Sequence, residues 1–402
     1  MKLPTGWELK RIEEIADVKG GKRLPKGYSL VKENTGFPYI RVTDMKNGTV
    51  DESGILYVPV NIAPKISRYI INKDDVFISV AGNGLGITGI IPESLDGANL
   101  TENADKLTNL KINQKFLFEV LRSPIIQNKV EAEKTQNAQP KLALTRIKGF
   151  EIPVPPLSEQ KKIAKILSTW DKAITTTEQL LTNSTQQKKA LMQQLLTGKK
   201  RLPGFSGEWE KLHFSDIADL NKKKFNPQNE SEEKECIELE HISQGTSALL
   251  GSTTTHKAVS TKSVFTKGCI LFGKLRPYLR KYWLADREGV CSTEIWVLSV
   301  NRNKSIPEYL HQLVQMDFFI DSTNVASGTH MPRADWNVVK DLIVFAPELE
   351  EQQKIATILS TADKEIEILQ QKLDCLKQEK KALMQQLLTG KRRVNVDELE
   401  VA

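Results

Sequence analysis

Two short stretches hold most of the residue types that could do chemistry or grip a charged ligand. The first is Gly82-Asn83-Gly84-Leu85-Gly86, which follows the β-type run Asp75 to Val80. A glycine-rich turn after a strand can cradle a nucleotide or a methyl donor if a helix opens at its end and an acid follows the next strand. Here Ile87-Thr88-Gly89-Ile90-Ile91-Pro92 follows, another β-like run, so a hairpin turn is expected. The second stretch is Gly273-Lys274-Leu275-Arg276-Pro277-Tyr278-Leu279-Arg280-Lys281-Tyr282-Trp283, four cations among three aromatics. Lysine and arginine neutralise phosphates, and Arg, Asn, Gln and His in loops can read base edges.

The basic character recurs in both halves of the chain. Lys222-Lys223-Lys224 precedes the second stretch and Gly328-Thr329-His330-Met331-Pro332-Arg333 follows it. In the first half Lys19, Lys22, Arg23 and Lys26 cluster, and Gln136-Asn137-Ala138-Gln139-Pro140-Lys141 occupies the matching late loop. Any one of these could be an ordinary solvated charge; their clustering in two places points to a polyanion. The net charge of +7 agrees, though weakly.

Motifs for catalysis are missing. There is no Asn/Asp-Pro-Pro-aromatic loop of an amino-methyltransferase, no GxxxxGK[ST] loop for ATP and no nucleophile elbow. His213, His241, His256, His311 and His330 form no HExxH pair, so no catalytic, cofactor or metal residue is assigned on this chain. Cys236, Cys269, Cys291 and Cys375 share no metal-ligand spacing and read as reduced, buried thiols of a cytosolic protein. The start Met1-Lys2-Leu3-Pro4 lacks a signal-peptide core, and no apolar run approaches the ~18 residues of a membrane span; a soluble intracellular protein is expected.

The elements that must position these stretches follow from an internal repeat. Lys188 to Lys199 and Lys380 to Lys391 both read KKALMQQLLTGK, and weaker identity extends upstream at the same offset of 192 residues. Trp7-Glu8 and Ile15-Ala16-Asp17 reappear as Trp209-Glu210 and Ile217-Ala218-Asp219, shifted by 202. A whole half-protein is duplicated. In each copy short β-type runs give way to a more helical stretch, Gln114 to Val130 and Glu308 to Asp321. A proline-bearing extended segment then leads into a long heptad seam. The first seam is Ile163, Leu167, Trp170, Ile174, Thr177, Leu181, Ser184, Lys188, Leu191 and Leu195. The second is Ile355, Leu359, Ala362, Ile366, Leu369, Leu373, Leu376, Lys380, Leu383 and Leu387. Each seam ends at a glycine followed by cations, a helix stop. The polar Thr177 and Ser184 correspond in the repeat to Leu369 and Leu376, so two first helices from separate chains would pack worse than a first with a second, which favours pairing inside one chain. Lys188 and Lys380 are expected to pack their stems and send their ammoniums to water, or to meet an acidic partner protein.

Pro155-Pro156-Leu157-Ser158-Glu159-Gln160 to Ile163, followed by a long helix and repeated once, resembles the specificity subunits of type I restriction-modification systems. The stretches Ile270 to Lys281 and Cys291-Ser292-Thr293-Glu294-Ile295 resemble a target-recognition domain of that family. The second signature departs, reading Ala346-Pro347-Glu348-Leu349-Glu350-Glu351-Gln352. The resemblance covers almost the whole chain and implies an α+β fold. Two duplicated mixed α/β target-recognition domains, 1–155 and 201–347, would alternate with spacer helices at 156–200 and 348–402, the latter with the C-terminal tail. The helices would pair as an antiparallel coiled coil about a pseudo-twofold axis, a dumb-bell with a helical bar.

The resemblance further implies a non-catalytic subunit of the bacterial or archaeal cytoplasm whose partner is double-stranded DNA. Each domain would read one half of a split site. Two methyltransferase subunits would carry S-adenosylmethionine, two restriction (motor-nuclease) subunits would use ATP and Mg, and no membrane would be involved. By position, DNA contacts are expected at Lys22, Arg23, Arg41, Asn83, Gln139 and Lys141 in the first domain. In the second they are expected at Lys223, His241, Lys274, Arg276, Tyr278, Arg280, His330 and Arg333. The competing readings are a single-chain methyltransferase-nuclease, and a two-headed DNA-binding regulator or coiled-coil scaffold that never meets a methyltransferase.

Overall fold

Both seams fold as unbroken helices of 39 residues, Leu157–Leu195 and Leu349–Leu387, in the computed structural model. The structure describes residues 3–82, 84–134, 141–230, 232–256, 258, 260–324 and 332–396. The seam positions make the inward stripe: none of the twenty is exposed, and Ile163, Leu167, Ile355 and Leu359 are fully covered. Each helix stops at a glycine in the left-handed region, Gly198 (φ 69°) and Gly390 (φ 71°). There the Lys200 N–H donates to Gln194 O (3.1 Å) and the Arg392 N–H to Gln386 O (3.1 Å), each satisfying a carbonyl that the last helical turn leaves open.

The chain divides into two compact units, Met1–Thr176 with Leu373–Ala402, and Thr177–Lys372. Each unit thus combines one globular part, the start of one long helix and the end of the other. In the first unit Ile163, Ala164 and Leu167 pack with Met384, Leu387 and Leu388. In the second, Ile355, Ala356 and Leu359 pack with Met192, Leu195 and Leu196. Early residues of one helix meet late residues of the other, so the pairing is antiparallel within each unit.

The globular parts share one plan. In the first, strands run in the order Asp17–Gly20, Ala104–Thr108, Val76–Ser79, Thr88–Ile90, all antiparallel. In the second the order is Ala218–Leu220, Ile295–Val300, Ile270–Gly273, Tyr282–Leu284, again all antiparallel. A second sheet in each contains one parallel pair, Pro38–Ile40 with Ala98–Leu100 and Glu235–Ile237 with Gly289–Cys291. The strand that opens each part pairs with the strand that leads into the long helix, Glu8–Arg11 with Glu151–Val154 and Glu210–His213 with Ile343–Ala346. This closure fixes where each helix starts.

The signature residues explain themselves here. Gln160 Nε2 donates to Pro155 O (2.8 Å) while its Oε1 accepts the Asn113 N–H (2.7 Å), tying helix start to globular core. Gln352 does the same with Pro347 O (2.8 Å) and the Ile306 N–H (3.2 Å). Glu159 takes Arg393, and Glu351, fully buried, takes Arg201 through two bonds of 2.9 and 2.8 Å. Each arginine follows the stop of the opposite helix, so the acid locks the end of one helix to the beginning of the other.

Three expectations need correction. The stretch Glu308 to Asp321 is two helices, Pro307–Leu313 and Asp317–Thr323, because the chain turns at Val314 to Met316. Gln114 to Val130 likewise breaks before Pro124, since proline disfavours helix at the residue before it. Cys236, Cys269 and Cys291 are buried and free, but Cys375 is exposed on the outer face of its helix.

Lys188 and Lys380 are also unlike expectation. Their ammoniums neither reach water nor wait for a partner protein. Lys188 Nζ lies 2.5 Å from Asp363 and donates to Gln315 Oε1 (2.8 Å). Lys380 pairs with Asp171 and lies 3.9 Å from Glu119. Asp171 and Asp363 are themselves repeat equivalents, so the same cross-helix ion pair is built twice.

Candidate nucleic-acid interface

The hairpin expected at Gly82 to Gly86 is present, and the GKLRPYLRKYW stretch forms its counterpart. Val76–Ser79 pairs with Thr88–Ile90 as Ile270–Gly273 pairs with Tyr282–Leu284. Backbone bonds equate the two turns residue by residue. The N–H of Ser79 donates to Ile87 O (2.8 Å), as that of Gly273 does to Lys281 O (2.8 Å). Val80 N–H donates to Asn103 O (2.7 Å), and Lys274 N–H to Glu294 O (3.0 Å). Leu85 N–H closes on Gly82 O (3.1 Å), and Leu279 N–H on Arg276 O (2.9 Å). The late loop enters each turn through one isolated bridge, Ala81 with Lys141 and Leu275 with Arg333. Gly82 therefore corresponds to Arg276, and Gly86 to Arg280.

The conformations at those positions agree as well. Gly82 and Gly86 have φ of 77° and 87°, and Arg276 and Arg280 have φ of 52° and 51°. Glycine adopts this region freely. An L-residue with a Cβ is disfavoured there by ~1–2 kcal/mol. The second turn holds two such residues four apart.

The structure separates the expected contacts by what their side chains already do. Arg280 is committed internally: Nη2 lies 2.5 Å from Asp317 Oδ1 and Nη1 donates to Gln315 O (3.1 Å). The arginine in turn holds the Asp317 carboxyl below its ordinary range. Arg333 donates to Glu294 (3.0 and 3.4 Å), beside the bridge it makes with Leu275. Arg276 and Tyr278 are exposed at the tip, and the Arg276 guanidinium has no hydrogen bond or ion pair among the described residues. Lys274 is half-buried at the root of the turn.

Arg41 and His241 fall in equivalent short turns with inverted polarity. Arg41 clamps Asp44 (2.9 and 2.6 Å) and Gly54 O (2.7 Å), and the acid keeps its guanidinium above the usual range. In the second unit Glu238 stands in the place of Arg41. Its N–H donates to His241 Nδ1 (3.0 Å), and its carboxylate takes Lys262 (2.6 Å). Lys22 and Arg23 are exposed next to the strand Asp17–Gly20; Lys22 Nζ sits 5.8 Å from the Tyr69 ring and Arg23 pairs with Glu102 (3.2 Å). Lys223 is exposed just before the strand Lys224–Phe225. Lys141 is exposed at its bridge. Asn83, Gln139 and His330 lie outside the described residues.

One group near Lys141 was not anticipated. Asp105, on the central strand Ala104–Thr108, is buried, and its Oδ2 has no hydrogen-bond partner among the described residues. Burial pushes its carboxyl up to about 6, with Lys141 acting against the rise. Its register equivalent in the second unit is Trp296, so pattern alone could not mark it. Among the described residues no group of three or more His, Cys, Asp or Glu could hold a metal ion, and no helix is long and apolar enough to cross a membrane.

The family model for the type I restriction modification DNA specificity domain matches residues 4–183 and again 206–378. The chain is 23% identical over 418 residues to the type I restriction enzyme MjaVIII specificity subunit of Methanocaldococcus jannaschii, covering 98% of this chain and 95% of that one. It is 23% identical over 395 residues to the EcoDI specificity subunit of Escherichia coli, covering 88% and 80%. The fold is similar to that of a type I restriction-modification S subunit from M. genitalium. That match has a TM-score of 0.61 at 17% identity and covers 96% of this chain and 98% of the other.

Proposed function

The chain belongs to the type I restriction-modification DNA specificity family, and on that premise we propose that its two units read the two halves of one split DNA site. The observation that carries this reading is the turn built twice. Each globular part presents an equivalent hairpin, fed by the same bridge from a late loop and flanked by exposed cations. Lys22, Arg23, Lys141 and Lys223 would supply phosphate contacts, which give salt-sensitive affinity, while the turn tips supply base selectivity.

The two long helices would set the interval between the halves. Each spans ~58 Å at ~1.5 Å per residue, comparable with one and a half turns of duplex at ~34–36 Å per turn. This chain would position chemistry and perform none of it. Methyltransferase subunits holding S-adenosylmethionine would dock on it, two in number, and flip a target adenine out of the stack. Two restriction subunits using ATP and Mg would join for cleavage.

The test is reconstitution of the full chain with a type I methyltransferase subunit from the same host. The expected result is S-adenosylmethionine-dependent methyl transfer to DNA that requires both proteins, with no S-adenosylmethionine binding by this chain alone in titration calorimetry. Binding of S-adenosylmethionine by the isolated chain would favour a single-chain enzyme. Sequence-specific binding without any methyltransferase association would favour a two-headed regulator.

A further inference from the structure

We propose that Arg276 is the residue with which the second unit reads a guanine, and that the first unit has no counterpart to it. The proposal rests on the reading of this chain as a two-unit DNA-recognition subunit and adds the base and the residue. Its ground is the difference between two otherwise equivalent turns. The turn geometry works with glycine at its first position, as Gly82 demonstrates at φ 77°. The second unit builds the same turn with the same closing bond and places arginine there instead, at φ 52°. Folding therefore does not ask for arginine at this position; backbone preference opposes it.

A phosphate contact does not account for the difference. Both halves of a split site offer the same sugar-phosphate backbone and differ only in their bases. A residue present in one unit only, at a conformational cost, is matched to what differs. Its surroundings fit direct readout. Arg276 is exposed at the tip and its guanidinium is uncommitted among the described residues, whereas Arg280 at the other end of the turn is tied to Asp317 and Gln315. Arg280 is a positioning residue that anchors the turn, and Arg276 is left to project from it. Backbone bonds from Arg276 N–H to Pro332 O (2.8 Å) and from Leu279 N–H to Arg276 O (2.9 Å) fix the direction in which the side chain leaves. A guanidinium carries only donors, in a fork that matches the paired O6 and N7 acceptors of guanine in the major groove. Adenine and cytosine present an amino group there and are disfavoured.

The experiment selects bound duplexes from a randomised double-stranded DNA pool with the full chain and its methyltransferase, using wild type, Arg276→Gly and Arg276→Lys. Arg276→Gly removes the side chain while suiting the backbone, so its Tm is expected to equal or exceed that of wild type. The wild type should select two blocks. In Arg276→Gly one guanine in one block should lose its preference by tenfold or more, within the range of roughly 5- to 150-fold for a bidentate base contact, with the other block unchanged. Arg276→Lys, which keeps the charge and loses the fork, should relax the same position. Three results would overturn the proposal: an unaltered motif, relaxation at a base other than guanine, or uniform weakening on all sequences with a shallower salt dependence. A lower Tm for Arg276→Gly would contradict the strain argument. If the wild type selects no motif at all, the reading of the chain as a DNA-recognition subunit fails first.

Discussion

The places where the two units join their long helices invite comparison, because the repeat keeps one ion pair and changes everything around it. In the first unit Lys380 and Asp171 sit with Glu119 and Arg122, and Arg122 bonds both Glu119 (2.8 and 2.7 Å) and Asp171. In the second, Lys188 and Asp363 sit with Gln312 and Gln315, which stand where the first unit has Glu119 and Arg122, and with His311 beside them. One junction is a four-charge network and the other a single pair in a neutral amide setting. The two pKa patterns follow. Burial pushes Asp171 up to about 6 against the pull of Arg122, and raises Glu119 as well. Burial pushes His311 down to about 4; Asp363 opposes the fall and Lys188 adds to it. The His311 Nε2 has no partner among the described residues. What the duplication preserves is the crossing of the helices; what it releases is the chemistry packed against that crossing.

This comparison is sharpest when one member of each pair is removed. Asp363→Ala leaves Lys188 buried with only an amide to bond, and should cost the second unit about 3 kcal/mol. Asp171→Ala leaves Lys380 with Glu119 at 3.9 Å, so the first unit should lose about 1–2 kcal/mol. Hydrogen exchange of the Pro307–Leu313 and Gln114–Leu121 amides reports each unit separately. Equal losses would mean that the extra carboxylate does not compensate.

Acid should divide the units in opposite senses. His311 titrates lower in the folded chain than its usual 6.5, so its contribution is present above pH 6.5 and is lost as pH falls toward about 4. Between pH 7.5 and 5 that loss is about 2 kcal/mol for the second unit. Asp171 titrates higher in the folded chain than 3.8, so its contribution grows as pH falls through about 6 and favours the first unit. His311→Leu should flatten the acid limb of the second unit's stability and leave the first unit's unchanged. A persistent acid limb in that variant would place the titrating group elsewhere.

Much of this architecture was legible in sequence, for a physical reason: heptad spacing and an exact repeat are local signals. The seam assignments include even polar members such as Thr177 and Lys188, which are buried as their register requires. The partners of the seam lysines were not legible. Asp363 follows the seam residue Ala362 and looks like a flank position, and its pairing with Lys188 depends on how two distant segments cross. Arg41 likewise reads as a free cation until Asp44 and Gly54 are seen to hold it. GNGLG and RPYLR share only a leucine, so their equivalence lies in backbone bonds and signs of φ that composition does not encode. Glycine and arginine at one left-handed position is a conflict between local preference and fold, and such conflicts gather at functional sites.

The most direct measurement is the map of methylated adenines in the genome of a host that carries this gene together with its methyltransferase. Two related but chemically different heads predict one motif made of two unlike specific blocks separated by a fixed run of unspecified bases. A single contiguous block, or two halves that are identical by symmetry, would contradict the account.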